Sequence, residues 1–532
     1  MHFEKDERRK SALLASACVL LGLTACAESS FSSQGYEDYA ADTGASFAAE
    51  SADDDGAWGA SDTGFDDGLG SESENDFLQL QPIATDKYVF VANPARDTVT
   101  RIAVDDLSVI TVDVGSNPQA VETTPDYKTA AVFNMGSDDV TVIDADTLET
   151  VTVEVRDHFN QMVMSPDGRW VICFNDPDAP NDQGEGGVVS FNEISLVDVQ
   201  SKTHYPIVVG FNPKQIRFTE DAATAAVISD AYLALVDLSA DEPDVEMVQI
   251  VDDPADPPLA EEILIAEGFA FIRQYATDAL TLVDLVDGDV SSVSAGENPT
   301  DMDMGPNGEV VVVARSSQEL YVYTYDDDFG AWVPEAPVPL PEDEVIGAIE
   351  FIPDSQRALL YTTASLEARY SIWDRESGAI ETWGLAKPIQ SLSVTPTGES
   401  LLVIHTAENA SDMSSSDPFY DEHAISLIDL EDQRSNPLLL PSEPSAYAHA
   451  NDGSVGYFIM EGEPYLEILK YGSLLYEEVE LYSQPVHVGV LPDRTEAYVN
   501  QEHDLGRISF YSPETEVLET ITGFELNSEI EH

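Results

Sequence analysis

The chain has 532 residues, too many for one ordinary hydrophobic core, so several domains or one array of repeats are expected. Apolar residues make up 43% of it, which excludes wholesale disorder. Acidic residues outnumber basic ones 101 to 23, and the formal charge of −78 excludes nucleic acid and anionic lipid headgroups as direct partners. Such a field attracts cations and basic surfaces; it suits a salty habitat and divalent-cation binding alike.

Lys5, Arg8, Arg9 and Lys10 give a basic start, diluted by Glu4, Asp6 and Glu7. The apolar stretch from Ser11 to Ala25 is too short for a permanent span, so residues 1–25 are expected to be a signal peptide. It ends in Leu23-Thr24-Ala25-Cys26, which resembles the bacterial lipobox. That resemblance implies cleavage before Cys26 and acylation of its thiol with palmitate-class chains. Two chains anchor stably where one is marginal, so the membrane becomes a partner through lipid alone. By the same resemblance, Ala27 in place of Asp favours the outer membrane of the cell envelope. Of three cysteines, Cys18 leaves with the signal and Cys26 is lipidated, so Cys173 has no disulfide partner. Its setting, Trp170-Val171-Ile172-Cys173-Phe174, is that of a buried strand residue.

Residues 26–76 are mostly Ser, Gly, Ala and acid, with no Lys or Arg. Segments such as Asp53-Asp54-Asp55-Gly56 cannot bury enough apolar surface to offset chain entropy, and like charges extend them. An acidic disordered tether is expected there.

From residue 77 to 532 the texture becomes short alternating strands between turns. Gly-x-Asn-Pro occurs at Gly115 to Pro118, Gly210 to Pro213 and Gly296 to Pro299, each time leading into a short strand and a tight turn. The turns recur as Ala84-Thr85-Asp86, Thr124-Pro125-Asp126, Ser165-Pro166-Asp167-Gly168, Thr219-Glu220-Asp221 and Ala266-Glu267-Gly268. They continue as Gly305-Pro306-Asn307-Gly308, Ile352-Pro353-Asp354, Thr395-Pro396-Thr397-Gly398, Asn451-Asp452-Gly453 and Leu491-Pro492-Asp493. An apolar strand follows each turn, then a third strand that often ends in Asp, then a more polar fourth. Four antiparallel strands every 40–50 residues or so make an all-β protein, the β-propeller, with about seven to ten blades. Phe77 to Gln81 is placed to add a strand to the first or last blade and close the circle. One large ring is favoured, because no Gly/Ser linker interrupts the repeats; two smaller propellers in tandem are the alternative.

Tyr88-Val89-Phe90-Val91-Ala92-Asn93 and Tyr498-Val499-Asn500, with the Gly-x-Asn-Pro segments and the Ser-Pro-Asp-Gly turn, resemble the YVTN-type β-propeller repeat family. The resemblance spans roughly residues 77–532. It implies the fold and an extracellular setting, but no particular activity.

Candidate chemistry is sparse. Asp144, Asp198, Asp237, Asp284, Asp374 and Asp429 follow third strands, a position that calls for turn capping rather than a carboxylate ring. The nine histidines do not cluster, and no nucleophile elbow or phosphate loop is present. Two insertions join second to third strands and should emerge on one face. The first, Asn175 to Gly186, carries the calcium candidates Asp176, Asp178, Asn181, Asp182 and Glu185, because hard cations take several loop oxygens. The second, Glu408 to Glu422, offers Phe419 and Tyr420 either as exposed contact residues or as rings that pack the loop onto the blade.

The expected function is therefore a membrane-anchored, extracytoplasmic binding or adhesion scaffold, non-enzymatic, for a protein or glycan ligand. One alternative is a metal-dependent, lactonase-like hydrolase with calcium in the central channel, for which Glu261, Asp301 and His487 are the channel candidates. Another is a subunit of an envelope complex.

Overall fold

The computed structural model describes Leu69, Glu72 and residues 82–176, 192–240, 242–254, 257, 260–274, 277–411, 413–473 and 475–525. These residues form ten antiparallel sheets, each built from four consecutive strands, a to d, in the order a-b-c-d. The ten blades span residues 83–113, 118–154, 161–208, 215–249, 260–294, 299–339, 348–384, 389–440, 444–480 and 485–522. Blade 6 carries one extra two-residue strand, Val338–Pro339, paired to its strand c. The ten sequence turns are the ten a–b turns, one per blade, so the upper end of the expected blade range is the observed number.

Hydropathy places each strand. Strand b is buried on both faces and reads as a continuous apolar run, as in Val310–Ala314 and Trp170–Phe174. Strand d alternates and is largely exposed, as in Thr150–Glu154 and Val290–Ser294. The a strands of adjacent blades lie against one another and ring the central opening, while the d strands form the rim. Neighbouring blades face each other through ten separate apolar cores. One of them joins Trp170, Ile172, Ile194 and Leu196 of blade 3 to Ile216, Ala225 and Val227 of blade 4. Another joins Val89, Val91 and Ile102 of blade 1 to Tyr498, Ile508, Phe510 and Phe524 at the end of the chain. That last core closes the circle. Side-chain bonds stitch the same seam: Tyr498 Oη donates to the Pro82 carbonyl (2.8 Å), and Arg96 pairs with Glu525 (3.2 Å). Among the described residues every blade is built from its own consecutive strands, and the seam is held by packing and side-chain bonds; Phe77 to Gln81 lie outside the described residues.

A polar ladder runs through the middle of most blades. The residue ending strand b donates from its amide to a Thr or Ser on strand c: Asn93 to Thr100 (2.9 Å), Asn134 to Thr141 (2.9 Å) and Gln501 to Ser509 (2.6 Å). In blade 8 the same place is held by His405, 2.7 Å from Ser426. The strand-c hydroxyl then meets a Thr eleven residues on in strand d, as in Ser371–Thr382 (2.8 Å) and Ser509–Thr520 (2.6 Å). Buried hydroxyls need such partners, and the ladder fixes strand register as well as satisfying them.

The repeated motifs acquire reasons. Asn117, Asn212 and Asn298 of the Gly-x-Asn-Pro segments sit at φ 53 to 55°, a left-handed conformation that Asn tolerates. The Pro that follows is the first residue of strand a in blades 2 and 6, a place in a strand where Pro is tolerated. Gly115 packs so closely on Asn134, Ser137 and Asp139 that a Cβ would overlap them.

Candidate functional site

Antiparallel order sends the a–b and c–d turns to one face of the ring, and the b–c loops and d–a links to the other, called here the link face. Both insertions are b–c connections, in blades 3 and 8, so both leave from the link face. In blade 8 the loop is fastened at its neck. The Lys387 ammonium, fully buried, donates to the carbonyls of Ala407 (2.9 Å) and Glu422 (2.6 Å). Asn409 and Asp421 clasp it again, the Asn409 side-chain amide donating to the Asp421 carboxylate (2.5 Å) and the Asp421 N–H to Asn409 Oδ1 (3.0 Å). Phe419 and Tyr420 are half-buried rather than exposed, because the turn capped by Asp417 folds them back (Phe419 N–H to Asp417 Oδ1, 2.9 Å). In blade 3, Asp176 is buried and anchors the start of its insertion by backbone bonds to both ends of the Asn160 amide, each 2.8 Å. Asp178, Asn181, Asp182 and Glu185 lie outside the described residues.

The channel candidates do not converge. Glu261, in blade 5, pairs with Arg273, which also holds Glu262 (2.9 Å). Asp301, in blade 6, is buried; its Oδ2 accepts the N–H of Ile349 in blade 7 (2.7 Å), and Asp303 does the same for Phe351 (2.7 Å). These carboxylates bridge two neighbouring a strands. His487, in blade 10, is buried beside Tyr498, and burial pushes its pKa down to about 4. Among the described residues no three His, Cys, Asp or Glu side chains gather as metal ligands would. A shallow acidic cleft at the seam of blades 10 and 1 is lined by Asp105, Asp106, Leu107 and Glu519.

The six aspartates after strand c are turn caps. Each accepts an N–H two or three residues on, such as Asp144 from Thr147 (2.7 Å), Asp198 from Ser201 (2.8 Å) and Asp374 from Ser377 (2.7 Å). Asp237, Asp284 and Asp429 do likewise. Cys173 is fully buried, and burial raises its pKa, as its apolar strand requires.

Sequence reasoning missed the most completely built polar site. Glu72, expected in a solvated tether, places its carboxylate between blades 6 and 7. Oε1 meets Arg315 Nη1 (2.9 Å) and the Thr362 hydroxyl (2.9 Å). Oε2 accepts from Thr363 N–H (2.5 Å), the Thr363 hydroxyl (3.0 Å), Ala364 N–H (3.1 Å) and again Thr362 (3.1 Å). The Glu72 and Arg315 side chains are each only 6% exposed. The partners lie 243 to 292 positions from Glu72, and no local pattern announces a contact of that range.

No family model matches the chain, and no curated protein matches it. Solved structures with a similar fold include the dihydro-heme d1 dehydrogenase NirN in complex with DHE, at 13% identity and TM-score 0.42, covering 76% of this chain and 78% of that one. A eukaryotic initiation factor aligns at 11% identity and TM-score 0.46, over 72% and 96% of the two chains. Apo AztD from Citrobacter koseri aligns at 13% and 0.41, over 65% and 93%. Likenesses this remote carry nothing about activity; the propeller is established by its own blades.

Proposed function

We propose that this protein is a lipid-anchored, extracytoplasmic binding scaffold that presents the link face of its ring to a protein or glycan ligand. The observation that carries this reading is the shared origin of both insertions: the two long departures from the repeat leave the same face of a closed ring. Loops on a rigid base are where recognition concentrates. The neck of the blade-8 loop, held by Lys387, Asn409 and Asp421, keeps such a surface in one shape. The lipobox-like run ending in Cys26, the acidic segment after it and the YVTN-type resemblance support placement in the cell envelope, at the outer membrane. Two of the buried imidazoles support binding over catalysis, since His405 and His449 are committed to internal partners: Ser426 and Pro388 for the first, Ser393 and Tyr471 for the second.

Two measurements test it. Metabolic labelling with a clickable palmitate should mark the wild type and not Cys26→Ala. A photo-crosslinking residue at exposed Ser415, in the blade-8 loop, should give a discrete adduct on intact cells, while one at exposed Val286, on the opposite face, should give none. Turnover of generic lactones or esters, abolished by removing a channel carboxylate, would overturn the reading in favour of a hydrolase.

A further inference from the structure

The polar ladder is replaced in blade 9. Its strand-b place falls to Met460, which lies opposite Pro444 as Asn134 lies opposite Pro118. A thioether has no proton to donate. The strand-c place, Thr or Ser in most blades, is Glu467, opposite Phe458; the strand-d place facing it is Glu478. Two carboxyl groups therefore stand where a hydroxyl pair such as Thr141–Thr152 stands in blade 2. Glu467 is only 1% exposed and its Oε2 is buried without a hydrogen-bond partner, whereas Glu478 is exposed. Like charges on directly opposed strand positions repel.

Strand alternation aims Glu467 at blade 8. It shares a side of its sheet with Phe458, Leu469 and Tyr476, which pack against Ile404, Leu427 and Leu440 of that blade. No cation answers it there. Its charged neighbours are Glu478 and, in the b–c turn, Glu463, both acids. Lys470 lies on the other side of the strand and meets Glu477 (2.8 Å) and Glu516 of blade 10 (3.9 Å). Arg434, on the blade-8 face, pairs with Asp429 and Asp432. On strand a, His449 is held between Ser393 and Tyr471, and burial keeps its imidazole neutral, with a pKa of about 4. Tyr476 alone favours the ionised form. Burial first, and then repulsion by the two acids, pushes the Glu467 pKa up from 4.5 to about 7.

We propose that the Glu467–Glu478 pair makes the joint between blades 8 and 9 proton-operated: the joint is closed while Glu467 carries a proton, and loss of that proton loosens it. A neutral carboxyl group is tolerated in an apolar seam, but a carboxylate there has neither water nor a counter-charge. The unfolded side chain gives up its proton near pH 4.5 and the folded one near pH 7. The joint is therefore strongest below about pH 4.5 and weakens as pH rises to about 7, the reverse of what a buried neutral imidazole does. This inference needs neither the lipid anchor nor any ligand.

The test is amide exchange of the full chain, compared as protection factors at about pH 6 and about pH 8. Protection in the strands of blades 8 and 9 should fall about tenfold over that rise, while blades 3 and 4 hold theirs. Glu467→Gln should keep blades 8 and 9 protected at both pH values. Carboxyl-labelled glutamate gives a second reading on chains that keep Glu467. One carboxyl resonance should titrate near pH 7 in the wild type and move to lower pH in Glu478→Gln, which removes the opposed charge. Glu122 of blade 2, which burial also raises to about 7, should give a signal that Glu478→Gln leaves in place. Protection in blades 8 and 9 that is flat across this range in the wild type, or that falls equally in Glu467→Gln, would overturn the proposal. So would a titration near pH 7 that Glu478→Gln does not move.

Discussion

Trp170→Ala probes whether adjacent blades truly share cores. Trp170 is fully buried between blades 3 and 4, with Arg169 stacked over its ring at 4.7 Å. Its indole N–H donates to the Leu238 carbonyl of blade 4 (3.1 Å). A buried Trp removes about 200 Å² of surface from water, so at about 25 cal/mol/Å² truncation should cost about 5 kcal/mol. Trp170→Phe keeps most of that area and loses the hydrogen bond. The Leu238 carbonyl retains Arg169 (3.3 Å), so this change should cost only about 1–2 kcal/mol. Urea unfolding followed by far-UV circular dichroism gives both values. Amide exchange then locates the loss, which should be greatest in blades 3 and 4, since repeat arrays couple mainly through nearest neighbours. Equal destabilisation by the two substitutions, or a loss below about 1 kcal/mol for Trp170→Ala, would refute packing as what joins the blades.

Two further outcomes are expected. Burial pushes the His405 pKa down to about 4 although backbone hydrogen bonding to Pro388 opposes it, so the unfolded chain takes up a proton at a higher pH than the folded one. Its contribution is whole above pH ~6.5 and is lost as pH falls from there towards 4, the pH range between the unfolded and folded values. His405→Gln, which copies the Gln501–Ser509 pair, should make urea midpoints less sensitive to pH across that window; an unchanged slope would refute the assignment. Asp198→Ala removes the acceptor for the N–H groups of Gln200 and Ser201 (both 2.8 Å) and should lower stability by about 1–2 kcal/mol. Asp198→Asn keeps an acceptor oxygen and should lose less, as urea midpoints would register.

How far the sequence reaches can be followed along the turns. Ser165-Pro166-Asp167-Gly168 closes a hairpin with groups only a few residues apart: Ser165 Oγ donates to Asp167 (2.6 Å) and Gly168 takes φ 70°. Local interactions of this kind leave a local pattern, which is why all ten a–b turns, the alternation of strands and the capping aspartates are legible in the sequence. Closure into a single ring is favoured in the sequence only by the lack of a Gly/Ser linker. It depends on Tyr498 and Phe524 meeting Val89 and Val91 across some four hundred residues, and apolar residues look the same whichever neighbour they bury. The same holds for function. Asp301 and Asp303 read as loose acids, but their partners are the N–H groups of another blade's edge. Phe419 and Tyr420 read equally as contact residues or as loop packing, and their half-burial is set by how the loop folds. Glu72 is one acid among 101 acidic residues, and only the meeting of Arg315 with Thr362, Thr363 and Ala364 across two blades sets it apart. Local chemistry determined the blades; long-range packing decided which carboxylate would be taken out of water.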